Sequence, residues 1–272
     1  KPYTKKLNNI NYDYIHKDFM ISLYDFLKYH KLDTIIEVLA PHISSFGFGN
    51  IHEISPYYAF NIFNIDTINS FIKGDKLLFI ENGMSEIIEK LKENISDIRY
   101  SSTVKSIESI DNKIKISTDF EESLYDKVII TAKLGDNVIK DETSNNMMKK
   151  IETNPYITCS FETPEKNIVT TYYKANLGKM EKIQFFHTFK KNNRTIVVAY
   201  AYGYLNDGLI KNIREDIEKS GISITNLITA KQWNIFPHLK LKNLDSNFYV
   251  DILNYQKNTN IYFAGSLISK PA

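Results

Sequence analysis

The sequence predicts a mixed α/β chain in which two kinds of structure interleave, and three observations predict it. The first seventy or so residues carry helical periodicity alone; a strand, tight turn and helix follow between Leu77 and Leu91; from Tyr156 to Tyr202, strands recur at the spacing of an antiparallel sheet. Composition sets the frame. At 272 residues, 43% hydrophobic and 24% charged, the chain is of ordinary globular make-up and sized for one large domain or two interleaved ones. Lys+Arg 34 against Asp+Glu 32 leaves +2, too near neutrality to mark a nucleic-acid or acidic-membrane binder, so neither partner is expected. Cys159 is the only cysteine, which excludes an internal disulfide framework and fits a reducing, cytoplasmic compartment. No apolar run approaches the roughly 18 residues that span a bilayer, so stable membrane insertion is not expected. His16, His30, His42, His52 and His187 show no metal-ligand spacing, and no metal is expected.

Taken in order, Ile15, Phe19, Leu23, Phe26 and Leu27, then Leu32, Ile35, Ile36 and Leu39, recur every three or four positions and predict two amphipathic helices, the second capped by Asp33 and stopped by Pro41. A loop over Ser44–Asn50 and helices at Pro56–Phe63 and Asp66–Ile72 complete a helical segment, residues 1–75. Residues 76–134 change character. Leu77-Leu78-Phe79-Ile80 reads as a strand, Asn82-Gly83 as a turn, and Met84, Ile87, Ile88 and Leu91 as one helical face. Strands are expected at Ile98–Tyr100, Val104–Ile110 and Ile114–Ile116, while the unbroken Val128-Ile129-Ile130-Thr131-Ala132 suits a strand buried on both faces. Residues 135–231 carry a polar connection, a short helix at Met147–Ile151, strands at Tyr156–Phe161, Ile168–Tyr173, Ile183–Phe189 and Thr195–Tyr202, and a helix at Asp207–Lys219 ending on Gly221. Residues 232–272 close on the strand-like Ile261–Ser266. The chain opens on Lys1 rather than Met and ends on Ser269-Lys270-Pro271-Ala272 directly after that run, so it is expected to be part of a longer polypeptide.

Four segments, in this order, resemble the FAD-dependent amine-oxidase-like flavoproteins, the superfamily that also holds phytoene desaturases and protoporphyrinogen oxidases. Phe79-Ile80-Glu81-Asn82-Gly83-Met84 resembles the family's strand, Gly-Gly-Met and helix, with Asn82 in place of the first glycine. Ser102-Thr103-Val104-Lys105-Ser106-Ile107 and Tyr125-Asp126-Lys127-Val128-Ile129-Ile130-Thr131-Ala132 resemble a second pair. Trp233-Asn234-Ile235-Phe236-Pro237-His238, with Gly47-Phe48-Gly49 and Pro56-Tyr57-Tyr58, is similar to elements of a microbial subgroup that includes the dehydrogenase of cyclopiazonic acid biosynthesis. Asn260-Ile261-Tyr262-Phe263-Ala264-Gly265-Ser266-Leu267 resembles the last FAD-binding strand and turn, with Ser266 where most members carry an acidic residue.

The resemblance implies an incomplete FAD/NAD(P)-binding-type domain interleaved with a substrate domain, and hydride transfer from an amine or carbon acid to flavin N5. It implies cofactor contacts from Val104, Gly265, Ser266 and Leu267; Trp233 is a candidate to pack on the flavin or to fill the domain junction, and His238, beside Pro237, is a candidate catalytic residue or a turn residue bonding to backbone. Thr158 stands nearest the position where many amine oxidases carry a lysine beside the flavin, which points away from amine oxidation itself. Tyr173, Tyr200 and Tyr202, with Tyr172, Phe185, Phe186 and Tyr204, are candidates to wall a pocket for a small-molecule substrate, although strand alternation turns about half of them away. The family's Gly-x-Gly-x-x-Gly fingerprint is absent, so FAD binding is expected to need a segment upstream of Lys1. The alternative is a non-catalytic binding protein on the same scaffold; a flavin monooxygenase or halogenase would need signatures not seen here.

Overall fold

The computed structural model describes residues 15–74, 80, 83–244 and 247–268. Apart from Ile80, the expected strand at residues 77–80 lies outside them, as do Glu81, Asn82 and the closing 269–272. Among the described residues are eight α-helices: α1 Leu23–Tyr29, α2 Asp33–Ser45, α3 Pro56–Ile62, α4 Ile65–Lys73, α5 Met84–Lys92, α6 Glu142–Lys150, α7 Asp207–Lys219 and α8 Phe248–Lys257. None is long and apolar enough to cross a membrane. The strands form three sheets. A meander joins β1 Val104–Ile110, β2 Lys113–Thr118 and β3 Glu122–Tyr125; β4 Val128–Ile130 pairs in parallel with β10 Ile261–Phe263. The third sheet is antiparallel, in the order β6 Thr171–Tyr172, β7 Ile183–Lys191, β8 Arg194–Tyr202, β5 Ile151–Thr163 and β9 Asn226–Leu239.

Two cores hold these layers. In the smaller one, Ile157, Cys159 and Phe161 of β5 and Val197, Ala199 and Ala201 of β8 meet Leu209, Ile213 and Ile217 of α7, which the Asn206 side chain caps. The larger core joins α1–α3 to Ile107, Ile114, Ile130, α8 and Phe263, so the helical segment, the meander and the parallel pair are packed as one body.

Several elements depart from their sequence signals. Pro41 lies inside α2, which continues to Ser45: a proline forfeits one backbone bond, and burial of Leu39, Ile43, Ser44 and Ser45 outweighs it. Leu32, not Asp33, occupies the cap, because the Asp33 carboxylate is drawn to Lys28. Residues 98–100 form no strand, and the 168–173 strand shrinks to two residues. Asp141 caps α6 by accepting from Ser144 N–H at 2.7 Å, starting that helix five residues before the expected Met147. The strand at β4 is buried on one side only, since Ile129 is 65% exposed. Residues 226–239, unassigned beyond their motif, make a strand of the five-stranded sheet and hold to it through Leu239.

Candidate active-site cleft

A cleft of about 760 Å³ opens where the parallel pair meets the end of the five-stranded sheet. One wall follows from β4 and β10. Ala264 N–H donates to Ile130 O at 2.9 Å, locking the strand ends together, and the chain then turns at Gly265 with φ +66. That left-handed backbone favours glycine, and it lets the turn settle against Thr131, whose carbonyl would lie 3.7 Å from an added Cβ. Thr131–Gly135 and Ser266 line the cleft from these two strand ends. Carboxyl ends of parallel strands are where α/β folds place ligands, because the loops that leave them diverge and expose backbone N–H groups.

The facing wall is Asn234–Pro237, and its shape comes from a bulge. Glu152 pairs with His238 and Asn154 with Ile235, so Phe236 and Pro237 together oppose the single Thr153. Proline fits there because a bulge releases it from donating to the ladder. Phe236 has φ +55, an outlier for a bulky residue, which persists only where surroundings over-determine it. They do: its ring stacks on His238 at 4.5 Å and 17°, meets Phe48 edge-on at 5.1 Å and Tyr58 at 5.5 Å, while His238 Nδ1 bonds its carbonyl at 2.7 Å.

The third wall, Phe48, is aimed by the loop Gly47-Phe48-Gly49. Asn154 donates to Gly47 O at 2.9 Å, Tyr202 OH accepts from Gly49 N–H at 2.8 Å and donates to Ser44 O at 2.7 Å, and Tyr156 OH donates to Ser45 O. At Gly47 (φ +87) an added Cβ would sit 2.0 Å from Ile235 Cδ1, so the glycine permits the close approach of loop and bulge.

The sequence-selected residues divide among these places. Gly265 and Ser266 form the strand-end turn, with Ser266 on the cleft wall, whereas Leu267 is buried in the larger core. His238 is buried and is not part of the cleft lining, burial lowers its pKa, and its ring and Nδ1 contact Phe236. Val104 is half-buried at the start of β1 against the larger core. Trp233 is exposed on the sheet face opposite α7 and donates from Nε1 to Thr158 Oγ1 at 3.0 Å, with Tyr200 opposite Thr158 on β8. Tyr202 is taken up by the loop it clamps. Tyr173 lies on the face covered by α7, where its hydroxyl bonds Asp216 O and Ser220 Oγ at 3.0 Å. Lys133, Leu134 and Thr153 line the cleft without having been named from the sequence, and Phe48 and Phe236 were named only within their motifs; the Gly47-x-Gly49 spacing was the available signal for Phe48.

No protein-family model and no curated protein matches the chain. Solved structures do. The chain is similar to a CLA-producing fatty acid isomerase from P. acnes, with TM-score 0.84 at 19% identity over 96% of this chain and 66% of that one. It is also similar to a putative protoporphyrinogen oxidase from Exiguobacterium sp. 255-15 (TM-score 0.61, 15% identity, 90% and 62% of the chains) and to cyclohexylamine oxidase from Brevibacterium oxydans IH-35A (0.63, 8%, 97% and 67%). These likenesses establish a shared fold, of which the chain spans about two thirds, the shares of those chains being 66%, 62% and 67%.

Proposed function

We propose that the chain supplies the substrate domain and the carboxyl-terminal half of the nucleotide-binding fold of an FAD-dependent oxidoreductase acting on a C–H bond of a small organic molecule. The observation that carries this reading is the cleft itself: two parallel strand ends facing a strained bulge across about 760 Å³. Its residues fit one end of the cofactor. The turn at Gly265-Ser266 brings backbone close without a side chain in the way, and Phe48 and Phe236 offer flat apolar surface to a ring system. They do not fit the other end, since no glycine-rich strand-to-helix turn is present for the pyrophosphate, and we assign that cradle to a preceding βαβ segment.

Bound there, the flavin would supply the hydride-accepting chemistry. The chain's own part is positional. Phe48 and Phe236 exclude water from the ring-binding surface, and the His238 ring and Nδ1 hold Phe236 in its unfavourable backbone state. Lys133, on the cleft wall, is held by donating to Ile151 O and keeps a cation beside the strand ends. The likeness in fold to a fatty acid isomerase and to amine oxidases supports a substrate with a reactive C–H bond.

The test is flavin content of the product of the complete reading frame, read by visible absorbance and by quenching of added FAD fluorescence. A yellow protein is expected, and Thr153→Trp, which fills the cleft opposite the bulge, is expected to lose the flavin while far-UV circular dichroism stays unchanged. A colourless wild-type protein that quenches no FAD would sink the reading.

A further inference from the structure

Among the described residues that line the cleft, Lys133 carries a cation and none carries a carboxylate. The other polar side chains there, Thr131, Thr153, Asn234 and Ser266, form no hydrogen bond with another described residue, so their capacity is left for whatever fills the cleft. A lining with a cation, hydroxyls and an amide but no carboxylate favours a ligand that is rich in acceptors and is negative, or becomes so.

Lys133 is held at both ends. Its backbone leaves the end of β4, and its Nζ donates to Ile151 O at the start of β5, so the side chain reaches from the strand-end wall to the sheet. One acceptor leaves two of its three N–H groups for a ligand, and it forms no ion pair with a described carboxylate. The other charges at this wall are His238, stacked on Phe236, and the Glu152–Lys240 pair at 2.6 Å, whose charges oppose one another. Asp136, further along the Lys133 loop, is exposed and outside the lining. Burial is the largest cause of the lowered His238 pKa. The charges of Lys240 and Lys133 push it the same way, against the Phe236 carbonyl and Glu152, so the field of Lys133 is felt across the Phe236 wall.

We propose that Lys133 sets the charge of the reduced flavin: its ammonium pairs with the negative charge that reaches the N1–C2=O side of the ring with the hydride, so the reduced cofactor stays an anion. The assignment rests on the cofactor reading above and gives this residue its part in it. In the step, the substrate C–H bond breaks with both its electrons, N5 gains the hydrogen, and the ring is reduced by two electrons and gains one negative charge. The oxidised substrate keeps the matching positive charge or releases a proton to water. Lys133 stays protonated throughout and acts through its charge alone.

The test is a pH titration of the full-length flavin-loaded protein after anaerobic reduction with dithionite, followed by absorbance. In the wild type, the reduced flavin is expected to take up its N1 proton about one pH unit or more below free reduced FAD, a tenfold preference for the anion. Lys133→Met should move that uptake up by about one unit toward the free value, while Lys133→Arg, which keeps the charge, stays near wild type. The reduction potential, read against reference dyes, should fall in Lys133→Met and hold in Lys133→Arg. Proton uptake at the free-FAD value in the wild type overturns the proposal without any variant, so a Lys133→Met protein that fails to fold or to hold flavin does not shield it. Unchanged uptake in Lys133→Met, or Lys133→Arg behaving like Lys133→Met, also overturns it. The two failures differ: a colourless wild type sinks the cofactor reading and this proposal with it, whereas a yellow protein with uptake at the free-FAD value sinks this proposal alone.

Discussion

Helices α7 and α5 have the same design and different fates. Each alternates an apolar stripe with charged residues, and each ends on a basic last turn, with Lys219 in α7 and Lys90 and Lys92 in α5. In α7 the stripe, Leu209, Ile213 and Ile217, is buried on the five-stranded sheet. In α5 none is buried: Met84 is 64% and Leu91 59% exposed, with Ile87 and Ile88 also open. Ile129, on the parallel pair, is similarly bare. The difference teaches that amphipathicity states a demand for a partner without saying which one meets it. Against the five-stranded sheet the chain meets its own demand. At α5 and β4 the apolar faces stay open, which fits the cover that a preceding βαβ segment would give in the arrangement proposed above.

The largest effect expected from breaking this contrast is at Ile213. Ile213→Ala empties a fully packed site and should cost about 2–4 kcal/mol in urea unfolding, whereas Leu91→Ala in α5 should change stability by less than about 0.5 kcal/mol in this chain alone. A cost at Leu91 as large as that at Ile213 would show that α5 is packed after all. Next comes Gly47→Ala, where a positive φ and the Ile235 methyl both resist the new Cβ; about 1–2 kcal/mol is expected. Gly47→Ala with Ile235→Val should recover part of that loss, the part due to crowding rather than to backbone.

Smaller still is a pH effect at the bulge. Burial lowers the pKa of His238 in the folded chain, so the unfolded chain binds the extra proton first. Stability from this site is complete above the ordinary histidine pKa and falls as pH drops below it. Unfolding free energy measured between pH 7.5 and 5 should decline, and His238→Phe should flatten part of that decline; His187, half-buried with its pKa also lowered, contributes in the same sense. Cys159 is a probe rather than a perturbation. Its thiol is pushed up to about 11 by burial, so a thiol reagent at neutral pH should leave it unlabelled until denaturant opens the sheet. Fast labelling without denaturant would mean that the α7 face opens readily.

How much of this was legible in the sequence can be followed residue by residue. Ile157, Cys159 and Phe161 alternate with Thr158 and Ser160, and that period of two gave the strand, while the structure showed which face is buried. The Gly265 turn was legible because a glycine after an apolar run marks where backbone must turn or come close. The row Tyr172, Phe185, Tyr200, Thr158 and Lys231 was not, since these residues become neighbours only through register across four strand pairings. His238 shows the same limit from the other side: its position after Pro237 was visible, but which way a bulge turns its ring was not.

Local periodicity and turn chemistry, then, determined by themselves that this chain makes helices before residue 74, strands recurring at the spacing of an antiparallel sheet, and the helix α7, because those signals depend on residues a few positions apart. Only the tertiary structure decided that Phe236 is held in a left-handed state against Phe48, that Tyr173 and Tyr200 face opposite sides of one sheet, and that α5 keeps its apolar stripe uncovered. Those outcomes rest on contacts between segments distant along the chain, whose register and packing no local pattern encodes.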